Sequence, residues 1–346
     1  MAKLTSWRGV RSVLVSAVAA VALAPAVGAA QEKVTWKLQS HWPSSSSSYK
    51  DSLGRLQTRL TACTNGQFEI QMHEAGALFP AKETFNAVKR GIIQMGTISP
   101  AYLPETITTA GIASGLPFAF RNVWETAYFH KHLGFEDMIR EEVAAHGVYY
   151  STDKVYPTEI VSKIPVNSLE DFRKLKIRSS GALQRFLTEA GAGASYLAGP
   201  ELYPALSTGV VNAAHWGAVQ GAYSMGLYEV AKYHIRPALN IAGTDAFIIN
   251  QKALDKLPAR HRECLINILD EQFWARTNEY EYQEEITLAK AIKTQGVTVN
   301  QLPPEVLNHL SKVAMKTWED EGKKGPMAQK ALTTLKNFLR DLGYIE

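Results

Sequence analysis

The stretch LKIRSSGALQRFLTEAGA, residues 175–192, ends a short apolar strand on Arg178, follows it with two serines and a glycine, and then starts a helix. Leu175 and Ile177 alternate with Lys176 and Arg178, and a period of two puts both cations on one polar face. A guanidinium at a strand end beside the spare N–H groups of a helix start is also how open α/β sheets bind anions. A solvated arginine and an anion site are both open on these residues alone. Further residues with usable chemistry sit at turns next to strand ends: Ser40, His41 and Trp42, then Tyr102, Lys154 and Tyr156, His215 and Trp216, and Phe247. In a two-domain α/β chain such positions can converge on one cleft. One cation, several rings and few carboxylates describe a pocket for an apolar carboxylate.

Catalytic signatures are missing. The chain has no G-x-S-x-G elbow, no H-E-x-x-H and no Gly-rich phosphate loop, and GAGAS at 191–195 lacks the third glycine and the spacing of a dinucleotide turn. His130 and His132, two apart in a helical stretch, point to different faces, which does not chelate a metal. Cys63 and Cys264 are the only cysteines. They pair only if the fold brings their Cα atoms within about 7 Å; otherwise they are two small buried side chains.

The elements that must position these residues belong to a chain of 346 residues with 46% hydrophobic and 20% charged content, long enough for two cores. The net charge of +4 is carried partly by Lys3, Arg8 and Arg11, and no long run of like charge follows, so nucleic acid is not an expected partner. The first residues combine a basic start, an apolar stretch from Val13 to about Leu23 and small residues before Gln31. This pattern predicts a signal peptide over 1–30, cleaved near Ala30, and an exported protein without stable membrane insertion.

Strand and helix patterns alternate from there on. VTWKLQSHW, QFEIQMHEAGALF, IIQMGTIS, GVYYSTDK, the segment with Arg178, and GVVNAAHWG read as strands. The stretches between them carry helical spacing, with Pro near the starts and Gly past the ends. Such alternation predicts an α/β fold with mainly parallel sheet covered on both faces. After TDAFIINQKAL the chain reads as helical, and one helix of more than 30 residues is long enough to cross between two domains.

Residues 166–233, from VNSLEDFRKLKIRSSG through ELYPALSTGVVNAAHWG to LYEVAKY, resemble the central signature of the DctP-like substrate-binding proteins of TRAP (tripartite ATP-independent periplasmic) transporters. NAVKRGIIQMGTIS in the first half is compatible with the same family. The resemblance implies a two-lobed periplasmic-binding-protein clamshell with a long helix spanning both lobes. It implies lobe I over 31–155, with about 245–283 returning to it, and lobe II over 156–244, with the C-terminal helices of about 284–346. By that similarity Arg178 pairs with a ligand carboxylate, and His215 and Trp216 lie beside the ligand. Tyr102 and Phe247 are expected as apolar walls, and Tyr156 and Ser40 as partners of an oxygen on the ligand's second carbon, by their strand-end location.

Departures from the family narrow the ligand. Sialic-acid binders carry a second arginine where this chain has Thr158 and an aromatic where it has Gly199. A dicarboxylate also needs a second cation. Binders of 2-oxo acids carry an acid where this chain has His215, and Asn212 replaces a frequent Asp just upstream, so a sodium or calcium ion is in doubt and no cofactor is expected. The resulting expectation is a periplasmic protein that captures a 2-oxo or 2-hydroxy monocarboxylate with an apolar or aromatic tail and delivers it to TRAP membrane subunits. It is not expected to be an enzyme. The alternatives are a dicarboxylate-binding protein, a ligand-presenting sensor and, less readily, an exported enzyme using His215 as a base.

Overall fold

The computed structural model describes residues 33–103 and 105–346; the expected signal peptide lies outside them. Nine strands form a single sheet: β1 (Val34–Gln39), β2 (Phe68–His73), β3 (Met95–Ile98), β4 (Val148–Ser162), β5 (Lys176–Arg178), β6 (Gly193–Ser195), β7 (Ala213–His215), β8 (Tyr233–Asn250) and β9 (Thr298–Gln301). Their order is β2-β1-β3-β8-β4-β7-β5-β6, with β9 added to β8. The outer strands pair in parallel, as the strand and helix alternation predicts, whereas β4 and β8 run antiparallel to each other and to β7 and β3.

β4 and β8 are far longer than the strand segments recognised in the sequence, at 15 and 18 residues. Pro157 in β4, and Pro237 and Gly243 in β8, read as strand breakers. The sheet absorbs the irregularity of β4 as register shifts between Thr152 and Lys154 and around Tyr156 to Ile160. The two strands therefore run through both halves of the molecule without a break.

Each half buries apolar side chains on both faces of this sheet. In the first half, Ala246 and Ile248 of β8 join one cluster with Val148, Tyr150 and Phe129. The intervening Phe247 and Ile249 turn to the other face, with Trp36, Leu38, Phe68 and Leu265. In the second half, Ile160, Ile177 and Phe186 form one cluster, and Val161, Leu206, Ala214 and Leu288 the other. The helix Ala259–Gln295 contributes Leu265 and Leu269 to the first half and Leu288 and Ala291 to the second, which is the expected bridge between lobes. Its 37 residues span about 55 Å.

The C-terminal helices divide between the halves, where the sequence reading placed both on lobe II. Pro304–Gly322 packs Val306, Leu310 and Ala314 onto the second half. Pro326–Asp341 returns to the first, because its apolar stripe of Ala328, Ala331, Leu332, Leu335 and Leu339 faces Val148 and Ile248. Cys63 and Cys264 are disulfide-bonded, their Cα atoms 6.0 Å apart, tying the helix Gly54–Cys63 to the long helix.

Candidate functional site

Arg178 is the last residue of β5, held between β6 and β7. Its side chain is 2% exposed. Nε donates to the Leu197 carbonyl at 2.9 Å and Nη1 to the His215 carbonyl at 2.8 Å. Nη2 is buried and has no protein partner. The guanidinium carbon lies 4.9 Å from the centre of the Trp216 ring and 5.6 Å from that of Tyr196. Two carbonyls thus fix the orientation of the group, two aromatic faces flank it, and its remaining N–H donors are left for a ligand.

His215 ends β7 beside it. Its Nδ1 lies 3.0 Å from the Ser179 hydroxyl, and its other ring nitrogen has no protein hydrogen bond. Burial first, and the charge of Arg178 second, push its pKa down to about 3, so the imidazole is neutral at physiological pH. Trp216 follows, and its position depends on Gly199: a Cβ there would lie 2.6 Å from Cη2 of the indole.

The opposite wall comes from the first half. His41 Nδ1 lies 2.9 Å from Thr97 Oγ1, and His41 Nε2 lies 3.1 Å from Asp245 Oδ1. Tyr156 donates its hydroxyl to the same carboxylate oxygen at 3.1 Å, and Lys154 Nζ donates to Oδ2 at 2.7 Å. Lys154 is fully buried, reaches Asp153 at 3.2 Å and sits 4.6 Å from the centre of the Trp42 ring. Burial raises the Asp245 pKa, but the Lys154 charge and the His41 hydrogen bond outweigh it, and the carboxyl stays well below the usual range. Burial and the Asp245 charge push the Tyr156 phenol well above its ordinary value. Lys154 and Asp245 therefore neutralise each other, and Arg178 is the cation on the cavity wall with a free donor edge.

These walls enclose a cavity of about 60 Å³. Of the residues singled out in the sequence, Arg178, His215, Trp216, His41, Trp42, Tyr102 and Tyr156 line it, and Lys154 stands behind the lining. Ser40 and Phe247 do not. The Ser40 hydroxyl accepts the Trp42 backbone N–H at 2.8 Å, which shapes the turn instead of facing the cavity. Phe247 lies one pleat beyond Asp245 and is packed in the apolar cluster with Trp36 and Leu38.

Asp245 and Tyr280 line the cavity and escaped the sequence reading. An acid inside the apolar run TDAFIIN was a usable signal, because a buried carboxylate requires a partner. Tyr280, on a helix rich in aromatic residues, gave none.

The donor set does not suit a resident metal ion. Asp245 is the carboxylate of the cavity wall, and its oxygens are taken by Lys154, Tyr156 and His41. A cation between them and Arg178 would face two fixed positive charges. Among the described residues, no group of three or more His, Cys, Asp or Glu is placed to hold a metal.

A family model described as bacterial extracellular solute-binding protein, family 7, matches residues 39–324. The chain is 23% identical over 327 residues to a monocarboxylate 2-oxoacid-binding periplasmic protein of Nostoc sp., covering 91% of this chain and 87% of the relative. Among solved structures, it resembles a TRAP periplasmic solute-binding protein of Pseudoalteromonas atlantica with bound sodium and pyruvate. That match has a TM-score of 0.81 and 21% identity, over 90% of this chain and 95% of that one. It also resembles an extracytoplasmic solute receptor of Bordetella pertussis that binds pyroglutamic acid, with a TM-score of 0.79 and 21% identity, over 88% and 99% of the two chains.

Proposed function

The chain belongs to the bacterial extracellular solute-binding proteins of family 7, and from that premise we propose that it captures a short 2-oxo or 2-hydroxy monocarboxylate and hands it to TRAP membrane subunits. The observation that carries this reading is the Nη2 group of Arg178, buried at the cavity wall with no protein acceptor. A carboxylate supplies that acceptor, and the guanidinium meets it with a planar fork.

The other walls support a monoanion. A second carboxylate would need a second free cation, and Lys154 is spent on Asp153 and Asp245. The neutral His215 is the group offered to an oxygen on the second carbon, while the Tyr156 hydroxyl, its proton held by Asp245, can accept from a 2-hydroxyl, with Trp216 and Tyr102 against the tail. A cavity of about 60 Å³ favours a short tail over the aromatic one also considered from the sequence. The Nostoc relative's 2-oxoacid binding agrees with this class of ligand.

Sodium accompanies pyruvate in the Pseudoalteromonas structure; here, with His215 and Lys154 in place, we read recognition as independent of a metal. The site is read as a receptor and not as a catalyst, because the family is one of solute-binding proteins and the wall carboxylate, Asp245, is charge-compensated by Lys154. No described helix is long and apolar enough to cross a membrane, so transport requires separate membrane subunits.

Thermal shift and calorimetry with pyruvate, lactate, 2-oxobutyrate, pyroglutamate, succinate and malate test the reading. A ligand at 100 times its dissociation constant stabilises by about 2.7 kcal/mol. Monocarboxylates should raise the melting temperature, with and without chelator. A response to dicarboxylates alone, or loss of the response in chelator, would overturn the ligand class or the metal-free recognition respectively.

A further inference from the structure

Four of the strands that carry the ligand cavity at one end carry a second concave feature at the other. Trp42 follows β1, Ser99 follows β3, and Tyr156 of β4 and Asp245 of β8 line the cavity. Val34 at the start of β1, Gln94 before β3, Gly147 before β4 and Asn250 at the end of β8 line a groove of about 800 Å³. Gln94 and Ser99 are five residues apart along one strand, which separates the two features by about 17 Å.

The groove is basic. Lys89, Arg90, Lys252 and Lys256 line it, and among the described residues no aspartate or glutamate does. Among the described residues, none of the four forms an ion pair. Some exposed cations elsewhere do pair, as Lys174 with Glu170 and Lys316 with Glu189, but here four line one depression. Lys89 instead donates to the imidazole of His146, at 3.2 Å from Nδ1, for want of an anion. Asp255, the nearest acid in sequence to the two lysines of the helix Gln251–Asp255 and its end, accepts from Gln251 at 2.8 Å and stays outside the groove. The groove is also part apolar, with Trp36 and Leu257 in its lining, and Ile92, 61% exposed, follows Arg90 and Gly91 on the adjoining turn.

We propose that this groove docks an extended acidic segment of a protein partner. Four uncompensated cations around a partly apolar trough fit carboxylates interspersed with apolar side chains. A depression of this size suits an inserted chain better than a flat lipid surface. The proposal rests on the receptor reading only in that such a protein must meet a membrane component. A segment seated here leaves the ligand cavity uncovered, since it grips the far ends of the same strands.

The probe is a labelled peptide of sequence EELEELEE, titrated into the mature protein, with QQLQQLQQ as control. The acidic peptide should bind, and its affinity should fall about tenfold or more between low and high salt, as expected for exposed charge contacts. Lys89→Glu/Arg90→Glu and Lys252→Glu/Lys256→Glu should each weaken peptide binding about tenfold or more while leaving the thermal shift by the organic acid unchanged. Absence of peptide binding, equal binding of the neutral control, or unchanged binding in both double variants would overturn the proposal. Binding of phosphatidylglycerol vesicles or inorganic phosphate that the peptide does not displace would also overturn it and assign the groove to phosphate groups. The thermal shift in the same samples reports separately on the ligand reading, so failure of one is distinguishable from failure of the other.

Discussion

On the proposed reading Arg178 should decide affinity, because its Nη2 has no partner in the protein itself. Breaking a buried hydrogen-bonded charge pair costs about 2–5 kcal/mol, so Arg178→Ala should weaken ligand binding by about 30-fold or more in calorimetry. Arg178→Lys should recover only part, since an ammonium cannot hold the Leu197 and His215 carbonyls and the ligand with one planar group. Unchanged affinity in Arg178→Ala would remove the guanidinium from the site. Two indoles, Trp216 and Trp42, line the cavity, so ligand should change intrinsic fluorescence, and Trp216→Phe should remove a large share of the change. A signal lost only in Trp42→Phe would place the responsive ring on the opposite wall. The histidine beside Arg178 makes a further distinction. With its pKa near 3 in the free protein, affinity for pyruvate should be flat from about pH 6 to 8. Tightening on acidification across that range would mean that the bound acid draws a proton onto the imidazole.

At the scale of elements, the legible parts of the sequence were those with local signals. The 175–178 alternation and the helix start after it singled out Arg178, and the end of β7 singled out His215 and Trp216, all of which line the cavity; Tyr156 lines it too, but from the middle of β4 and not from a strand end. Phe247 misled because it shares a strand face with Asp245 but lies one pleat further, inside the apolar cluster with Trp36 and Leu38, and Ser40 because its hydroxyl accepts the Trp42 N–H; only the tertiary packing decides either. Lys154 was visible, but its pairing with Asp245 follows from the β4 and β8 register, where they are direct partners, and no local pattern encodes that. The close approach of Gly181 to Ala101 was equally hidden. Gly181 opens the helix Gly181–Glu189 with φ +58°, and a Cβ there would lie 2.8 Å from the Ala101 Cβ. Gly181→Ala should therefore weaken ligand binding by holding the walls apart, with a larger radius of gyration in the presence of ligand. Normal affinity with an unchanged radius would show that this contact does not limit closure. The disulfide acts between two helices of the first half. Its removal in Cys63→Ser/Cys264→Ser should lower stability by about 2–5 kcal/mol in denaturant melts while sparing affinity.

For the whole molecule, buried histidines set the acid limit. His130 and His215 are both held near pKa 3, His130 by burial and then by Lys131. In the unfolded chain they titrate near 6.5. Between those values the unfolded state binds more protons, so stability rises with pH across the window and is lost as pH falls from about 6.5 toward 3. Each costs on the order of 5 kcal/mol at most at low pH. Unfolding titrations of His130→Phe and His215→Gln should have shallower acid limbs than the parent, and equal slopes would mean that other groups govern acid lability. The continuity of β4 and β8 through both halves has a mechanical meaning as well. The halves share one hydrogen-bonded strip, backed by a 37-residue helix, so closing them on a ligand should flex a leaf spring rather than turn on a pin. Strain in a leaf spring spreads along its length, and the register shifts near Thr152 and Thr158 are where this one is thinnest. Heating should accordingly give a single calorimetric transition for both halves. A fragment cut at either shift would be left with torn strand edges and no independent fold.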